Sequence, residues 1–194
     1  MVDPRQVHLV AAKHILRNLK GTIDYGLRYV ADCEFGLVGY TDLDWAGSVT
    51  ERKSTSGCCF SLGSTVIAWR IRKQTSVVLN TTKVEYIDAC SASSEVVWLR
   101  KMLSGLFDLE MEATCIYCDN QSCIKLSENP VFHDKSKHID IKYQYICNMV
   151  EKGAVKLQYI ATDEQVADVL TKSLSKVKFV YFRDKLGVVP RKRE

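Results

Sequence analysis

The sequence predicts an α/β domain on a mixed five-stranded sheet, three antiparallel strands followed by parallel ones, with helices on its flanks. Three observations carry this expectation. Three short apolar runs between residues 36 and 69 are joined by short connections, as in an antiparallel meander. A long stretch of helical periodicity follows, from Thr82 to Leu106. Two further apolar runs, 113–118 and 155–160, then alternate with helical segments, the pattern of strand–helix–strand units. At 194 residues, with 46% hydrophobic and 26% charged side chains, the chain has enough apolar matter for one core plus an appendage.

Taken in order, residues 1–31 read as a separate helix and turn. Val7, Val10, Ala11, His14 and Ile15 fall at helical spacing, Leu19 extends the run, and Lys20-Gly21 ends it. Thr22 to Tyr29 reads as extended, and the whole piece as an appendage packed on a main domain spanning 32–190. Asp32-Cys33-Glu34 marks the boundary, and 191–194 form a frayed tail. From Gly36 the period changes to two. The first strand runs into Thr41-Asp42-Leu43-Asp44-Trp45, with Asp42 and Asp44 on one face. A polar loop with Glu51, Arg52 and Lys53 leads to a second strand over 57–62. Gly63-Ser64 makes a hairpin turn into a third over 65–69.

In the long helix, Val84, Ile87, Cys90, Ser91, Ser94, Val97, Trp98 and Met102 form the expected inward stripe, with Arg100 and Lys101 outside and Thr81 or Thr82 as N-cap. Glu85 falls in the first turn, where the helix dipole alone would favour an acid. The run 113–118 reads as a buried strand ending at Asp119. A helix begins at Gln121 and stops before Asn129-Pro130. A polar loop over 131–138 carries His133, Lys135, Lys137 and His138. A helix over 139–152 and a strand over 155–160 come next. Thr162 or Asp163 caps a helix containing Glu164, Ala167, Asp168, Leu170 and Thr171, and a last helix from Val177 to Leu186 ends at Gly187.

Charge and cysteine content set the outer limits. A net charge of +4 and a pI near 8.6 lean toward polyanions without reaching the range of a dedicated nucleic-acid binder. The N-terminal stretch carries charge throughout and has no clean apolar core, and no run approaches the ~20 residues that span a bilayer. The eight cysteines therefore read as reduced thiols of a cytoplasmic or nuclear protein. Cys115 and Cys118 form a CxxC, but inside a strand rather than a knuckle turn, so buried thiols are the reading preferred over a zinc site.

Four carboxylates sit where topology can gather them: Asp42 at a strand end, Glu85 opening the long helix, Asp119 at another strand end, and Asp168 in a C-terminal helix. A strand-end carboxylate lies where open α/β sheets place ligands. Clustered acids of this kind suit two divalent ions ~3.5–4 Å apart that flank a scissile phosphate. If the first and fourth strands are neighbours, Asp42 and Asp119 can bridge such a pair.

At these residues the chain resembles the ribonuclease H domain of copia-type LTR retrotransposon Pol polyproteins. The matching stretches are 39–47 (GYTDLDWAG), 52–57 (RKSTSG), Val84-Glu85-Tyr86, 116–122 (IYCDNQS), 129–133 (NPVFH), 137–141 (KHIDI), 164–168 (EQVAD) and Thr171-Lys172. Residues 7–29 resemble the end of the reverse-transcriptase connection that precedes this domain. The resemblance implies a ribonuclease H-like fold, an acidic tetrad of Asp42, Glu85, Asp119 and Asp168, two Mg²⁺ or Mn²⁺ ions, and cleavage of the RNA strand of an RNA–DNA hybrid. It also implies the reverse transcriptase of the parent polyprotein as a partner. Asp44 is the runner-up at the first position. Asn120, Gln121 and Ser122 are candidate contacts to the hybrid, or caps of the helix they open. Arg72 and Lys73, with Arg70, are candidates for phosphates.

The chain departs from the family pattern at Lys83, where Glu is common, and at Ser173, where Pro is usual; between Ile160 and Asp168 it has no histidine to match the mobile one of cellular ribonucleases H. Two function classes follow. One is a metal-dependent nuclease. The other is a catalytically silent retrotransposon fragment, inert or co-opted as an interaction or effector-like protein, which Lys83 and the lack of an accompanying polymerase favour.

Overall fold

The computed structural model describes residues 3–31, 36–44, 54–74, 81–108, 110–128 and 137–191, without the side chains of 81–84 and 137–143. The expected boundary at Asp32-Cys33-Glu34, the loops carrying Arg52, Lys53, His133 and Lys135, the side chains of Lys83, Lys137 and His138, and the end of the tail lie outside the described residues.

The elements run α1 (Gln6–Gly21), β1 (Tyr25–Leu27), β2 (Leu37–Asp44), β3 (Thr55–Leu62), β4 (Thr65–Lys73), α2 (Thr81–Phe107), β5 (Thr114–Cys118), α3 (Gln121–Glu128), α4 (Lys137–Glu151) and β6 (Val155–Tyr159). A 3₁₀ turn (Thr162–Glu164), α5 (Asp168–Thr171), α6 (Lys176–Lys185) and β7 (Val188–Pro190) complete the chain. The main sheet has five strands in the order β4-β3-β2-β5-β6. β2–β3 and β3–β4 are antiparallel, β2–β5 and β5–β6 parallel. This is the mixed α/β sheet that the sequence predicts.

One face of the sheet is covered by α2 and α4, and its core contains Phe60, Tyr86, Val96, Leu99, Ile116, Ile146 and Val155. The opposite face carries a smaller core of Cys59, Val66, Val166, Ala167 and Phe182 beneath α5 and α6. Period-two alternation sorts residues between these cores: Cys58 and Phe60 face one, Cys59 the other.

The inward face of α2 differs from expectation. Tyr86, Ala89, Cys90, Ala92, Ser93, Val96, Leu99 and Leu103 are buried, whereas Trp98 is 56% exposed and Ser94 and Met102 are exposed. Ala89, Ala92 and Ser93 are small and let the helix lie close to the sheet. Weighting by bulk points instead to Trp98 and Met102. Arg100 is not on the outside either. It donates to the carbonyls of Met111 and Glu112 and to Thr114 Oγ1 (3.0 Å), tying α2 to the start of β5.

β4 continues to Lys73, beyond the apolar run, because ladder pairing with Thr55 and Ser56 extends the polar edge. The single helix expected over 162–171 is two short pieces. Gln165 breaks it with an extended backbone and turns its buried side chain inward, donating to the Thr41 carbonyl (3.0 Å).

Near the N-terminus, α1 buries none of its residues, and Val7, Ile15 and Leu16 are exposed. The following strand does pack. β1 pairs antiparallel with β7, the Tyr29 hydroxyl donates to the Val66 carbonyl (3.1 Å), and the Arg183 guanidinium stacks on Tyr25 at 4.8 Å. Residues 188–190 thus form a strand rather than a loose end, and the Arg191 amide donates to the Asp24 carbonyl (2.5 Å). Gly187 makes the sharp exit from α6 with φ +77°, a conformation that favours glycine.

Gly57 has a different purpose. It faces Asp42 across β2–β3, and a Cβ there would stand 2.6 Å from Thr171 Cγ2 and 3.0 Å from Leu170 Cβ. The missing side chain lets α5 dock over the end of β2. Gly57→Ala should cost about 1–3 kcal/mol of stability, as overpacking does, measured by urea unfolding.

Candidate active site

The pairing of β2 with β5 builds the centre of the site. Tyr40 aligns with Tyr117, so Asp42 and Asp119, each two residues further on, leave adjacent parallel strands at the same edge. Asp42 is nearly buried. Asp119 lies just past β5 and accepts a hydrogen bond from Thr162 Oγ1 (3.3 Å). Glu85 comes from the first turns of α2, which packs across β2. Thr41, Asp42, Leu43, Glu85, Asp88, Cys118 and Asp119 line a small cavity at this edge.

The fourth acid reaches the same edge from the other face. Asp168 opens α5, is 1% exposed, and is linked to Asp42 through Lys172, whose Nζ lies 3.0 Å from Asp42 Oδ1 and 2.9 Å from Asp168 Oδ1. Thr171 Oγ1 donates to Asp42 Oδ2. Lys178 Nζ stands 3.8 Å from Asp168 Oδ2 and 3.3 Å from Asp163.

Crowding shows in the carboxyl groups. Burial, then the Asp119 and Asp42 charges, push Glu85 up to about 7 against a favourable Asn120 hydrogen bond. Burial, then Asp42, raise Asp119. Burial raises Asp168 despite Lys172. Burial opposes the charge on Lys172, but Asp168 and Asp42 outweigh it and hold its ammonium above the ordinary lysine range.

Glu85 Oε2 is buried and has no hydrogen-bond partner. An orphaned carboxylate oxygen beside the raised Asp119 carboxyl is what a hard cation with oxygen ligands would satisfy, and the all-oxygen donor set suits Mg²⁺ or Mn²⁺. The oxygen donors of Asp42, Glu85 and Asp119 are thus of the chemical kind that a divalent ion takes. Among the described residues no three His, Cys, Asp or Glu side chains stand close enough together to hold a metal ion as they are placed, and on the Asp168 side an ammonium lies between the two acids.

Asp44 ends β2 opposite Thr55 and does not line the cavity. Asn120 caps α3, its Oδ1 accepting from the Cys123 amide (3.0 Å), while Gln121 and Ser122 are exposed beside it. Arg72 and Lys73 are exposed near the end of β4, and the pairing Asp44–Thr55–Lys73 sets them at the acidic edge of the sheet. Arg70 pairs with Glu95 of α2 at 3.8 Å. Cys115 and Cys118 point to opposite faces of β5, and Cys115 donates to Gln158 Oε1 (3.1 Å).

Sequence reasoning missed three participants. Asp88 is one helical turn beyond Glu85 and accepts from Ser56 Oγ (2.7 Å); its spacing was the available signal. Gln165 is fully buried but polar, and nothing local marks it as a core residue. Lys172 was visible as part of a motif, with no sign of its ion pairs.

No family model matches the chain. A retrovirus-related Pol polyprotein from transposon RE1 of Arabidopsis thaliana is 40% identical over 185 residues, 95% of this chain and 13% of that polyprotein. The chain belongs to the copia-type Pol family. It thus spans a small fraction of this Pol relative's length. A secreted RxLR effector protein 161 of Plasmopara viticola is 44% identical over 97 residues, 50% of this chain and 68% of that protein.

Solved structures agree on the fold. The N-terminal RNase H domain of a Mycobacterium tuberculosis protein superposes with a TM-score of 0.52 at 12% identity, over 78% of this chain and 98% of that one. A foamy viral protease–reverse transcriptase, solved in complex with an RNA/DNA hybrid, gives 0.51 at 14%, over 74% of this chain and 21% of that one. This Pol segment has a ribonuclease H-like fold.

The crowded carboxyls make a prediction for the chelated protein. Glu85 titrates near its ordinary 4.5 when unfolded and near 7 when folded, so the folded state holds the extra proton between these values. Stability then falls as pH rises through that window and stays low above it. Glu85→Gln should be more stable than wild type by about 1–2 kcal/mol at ~pH 8, the full shift being reduced by solvent screening, and equal to it near pH 4. Urea melts with EDTA at both pH values measure the difference.

Proposed function

We propose that this Pol segment is a ribonuclease H that hydrolyses the RNA strand of RNA–DNA hybrids during reverse transcription, with Asp42, Glu85, Asp119 and Asp168 as its acids. The observation that carries the reading is the arrival of Asp42 and Asp119 from adjacent parallel strands beside the unpartnered Glu85 oxygen. Two Mg²⁺ or Mn²⁺ ions would supply an activated water and stabilise the leaving oxygen.

The chain's own residues prepare for that chemistry. Asp42 and Asp119 are fixed by the sheet, so their carboxylates need little reorganisation to serve as ligands. Glu85, held near 7, releases its proton from the carboxyl when a cation arrives. Asp168 is brought over the end of β2 by α5, which Gln165 anchors to Thr41.

A hybrid would be read by its A-form-like shape, phosphates and 2′-hydroxyls rather than by sequence. Gln121 and Ser122, exposed beside Asp119, and the capping Asn120 would meet its backbone. Arg72 and Lys73 lie on the same edge for phosphates. In the parent polyprotein, residues 1–31 belong to the connection preceding 32–190, and the exposed apolar side of α1 faces the reverse transcriptase.

A second reading has its own support. Half of the chain is 44% identical to a secreted effector, and Asp42 and Asp168 are already joined through a lysine. A catalytically silent, effector-like fragment would keep the fold and the hybrid surface without turnover.

A labelled RNA–DNA hybrid with Mg²⁺ or Mn²⁺ separates the two. The nuclease reading expects RNA-strand cleavage abolished by chelator and lowered at least ~100-fold by Asp119→Asn, since loss of outer partners of a metal ligand already costs about 10–100-fold. Binding of the hybrid by folded protein with no cleavage supports the silent reading. Glu at position 83 in its place (Lys83→Glu) then tests whether that lysine is the cause.

A further inference from the structure

The four carboxylate oxygens of Asp42 and Asp168 are all engaged by the chain itself. Lys172 Nζ takes Oδ1 of each, Thr171 Oγ1 takes Asp42 Oδ2, and Lys178 Nζ stands by Asp168 Oδ2. Both acid side chains are 2% exposed. Glu85 Oε2, by contrast, has no partner. The two sides of the acidic cluster are therefore unlike: one awaits a cation, the other holds one.

A divalent ion binds carboxylate oxygens at about 2.0–2.1 Å, inside the space that Lys172 Nζ fills at 2.9–3.0 Å from both acids. Lysine is a compact charge on a flexible four-carbon stem. Lys172 keeps 30% of its side chain in solvent, which gives the ammonium a way out. Its backbone is fixed, because Lys172 directly follows α5 and its amide donates to the Asp168 carbonyl, in the turn that Thr171 Oγ1 also closes. Leaving two buried acids without any cation would be costly, so the lysine stabilises the metal-free state that it also blocks.

We infer that Lys172 is a tethered counter-ion of the Asp42–Asp168 pair, which holds both acids in place without metal and must swing away before a divalent ion binds between them. The inference rests on the reading of the four acids as a divalent-cation site. It makes loading ordered: the Asp42–Glu85–Asp119 side fills first, and the Asp168 side fills only as Lys172 leaves. Lys172 acts here as a positioning residue and gate on metal occupancy.

Mn²⁺ binding to the full chain, followed by the electron paramagnetic resonance of free Mn²⁺, reads this without any turnover. Wild type should show a tighter and a weaker site. Lys172→Met should tighten the weaker one about tenfold or more, within the usual range of coupling between two ligands of one protein, while Lys172→Arg stays close to wild type. Metal-free Lys172→Met should also melt below wild type, and saturating Mn²⁺ should close that gap.

A reactivity measurement covers the case in which Lys172→Met does not fold. In wild type, acetylation of Lys172 read by mass spectrometry should rise severalfold at saturating Mn²⁺. Mn²⁺ binding by wild type with Lys172 reactivity unchanged, or a Lys172→Met variant that binds no tighter, overturns the inference and leaves the metal reading intact. No Mn²⁺ binding by any variant overturns both.

Discussion

Parallel pairing of β2 with β5 is the constraint on which the site depends. These strands are far apart in sequence, separated by a hairpin and a helix of 27 residues. Only their adjacency and the register Tyr40–Tyr117 bring Asp42 and Asp119 to one edge. A slip of one residue would turn one acid to the other face of the sheet. Register is held by the buried alternation on both sides, Ile116 and Cys118 on one strand, Leu37 and Leu43 on the other.

Around that pair, the fold gathers charge and then has to neutralise it. α2 brings Glu85 and Asp88 from one face, and α5 brings Asp168 from the other. Buried carboxylates so close resist ionisation together. The protein answers unevenly: Ser56 and Gln74 hydrogen-bond to Asp88, Lys172 and Lys178 serve Asp168, and the Glu85 carboxyl is left pushed up to about 7. Gly57, by lacking a Cβ, is what allows α5 and its lysine to approach. The packing of this edge and the balance of its charge are thus set by the same few side chains.

Much of this was legible in the sequence. A period-two run ending in acids marked β2, a short apolar run leading to Asp119 marked β5, and the long helical stretch marked α2 to within a residue at each end. What was not legible is tertiary. The inward face of α2 is chosen by close approach, which favours Ala89, Ala92 and Ser93 over Trp98 and Met102. β1 and β7 are three-residue strands whose partners are each other, and so short a segment carries no period. Gln165 and Lys172 look like surface residues until their partners, 124 and 130 positions away, are known. Asn120 was open between a cap and a substrate contact, and its bond to the Cys123 amide gives it the capping role at least.

If register and α5 docking assemble an acidic site for divalent ions, a bound ion marks it. Anomalous scattering from a crystal soaked in Mn²⁺ tests it most directly. A peak bounded by Asp42, Glu85 and Asp119 is expected, with Glu85 Oε2 among its ligands. Well-ordered carboxylates with no peak between them, or a peak only elsewhere on the surface, would contradict it.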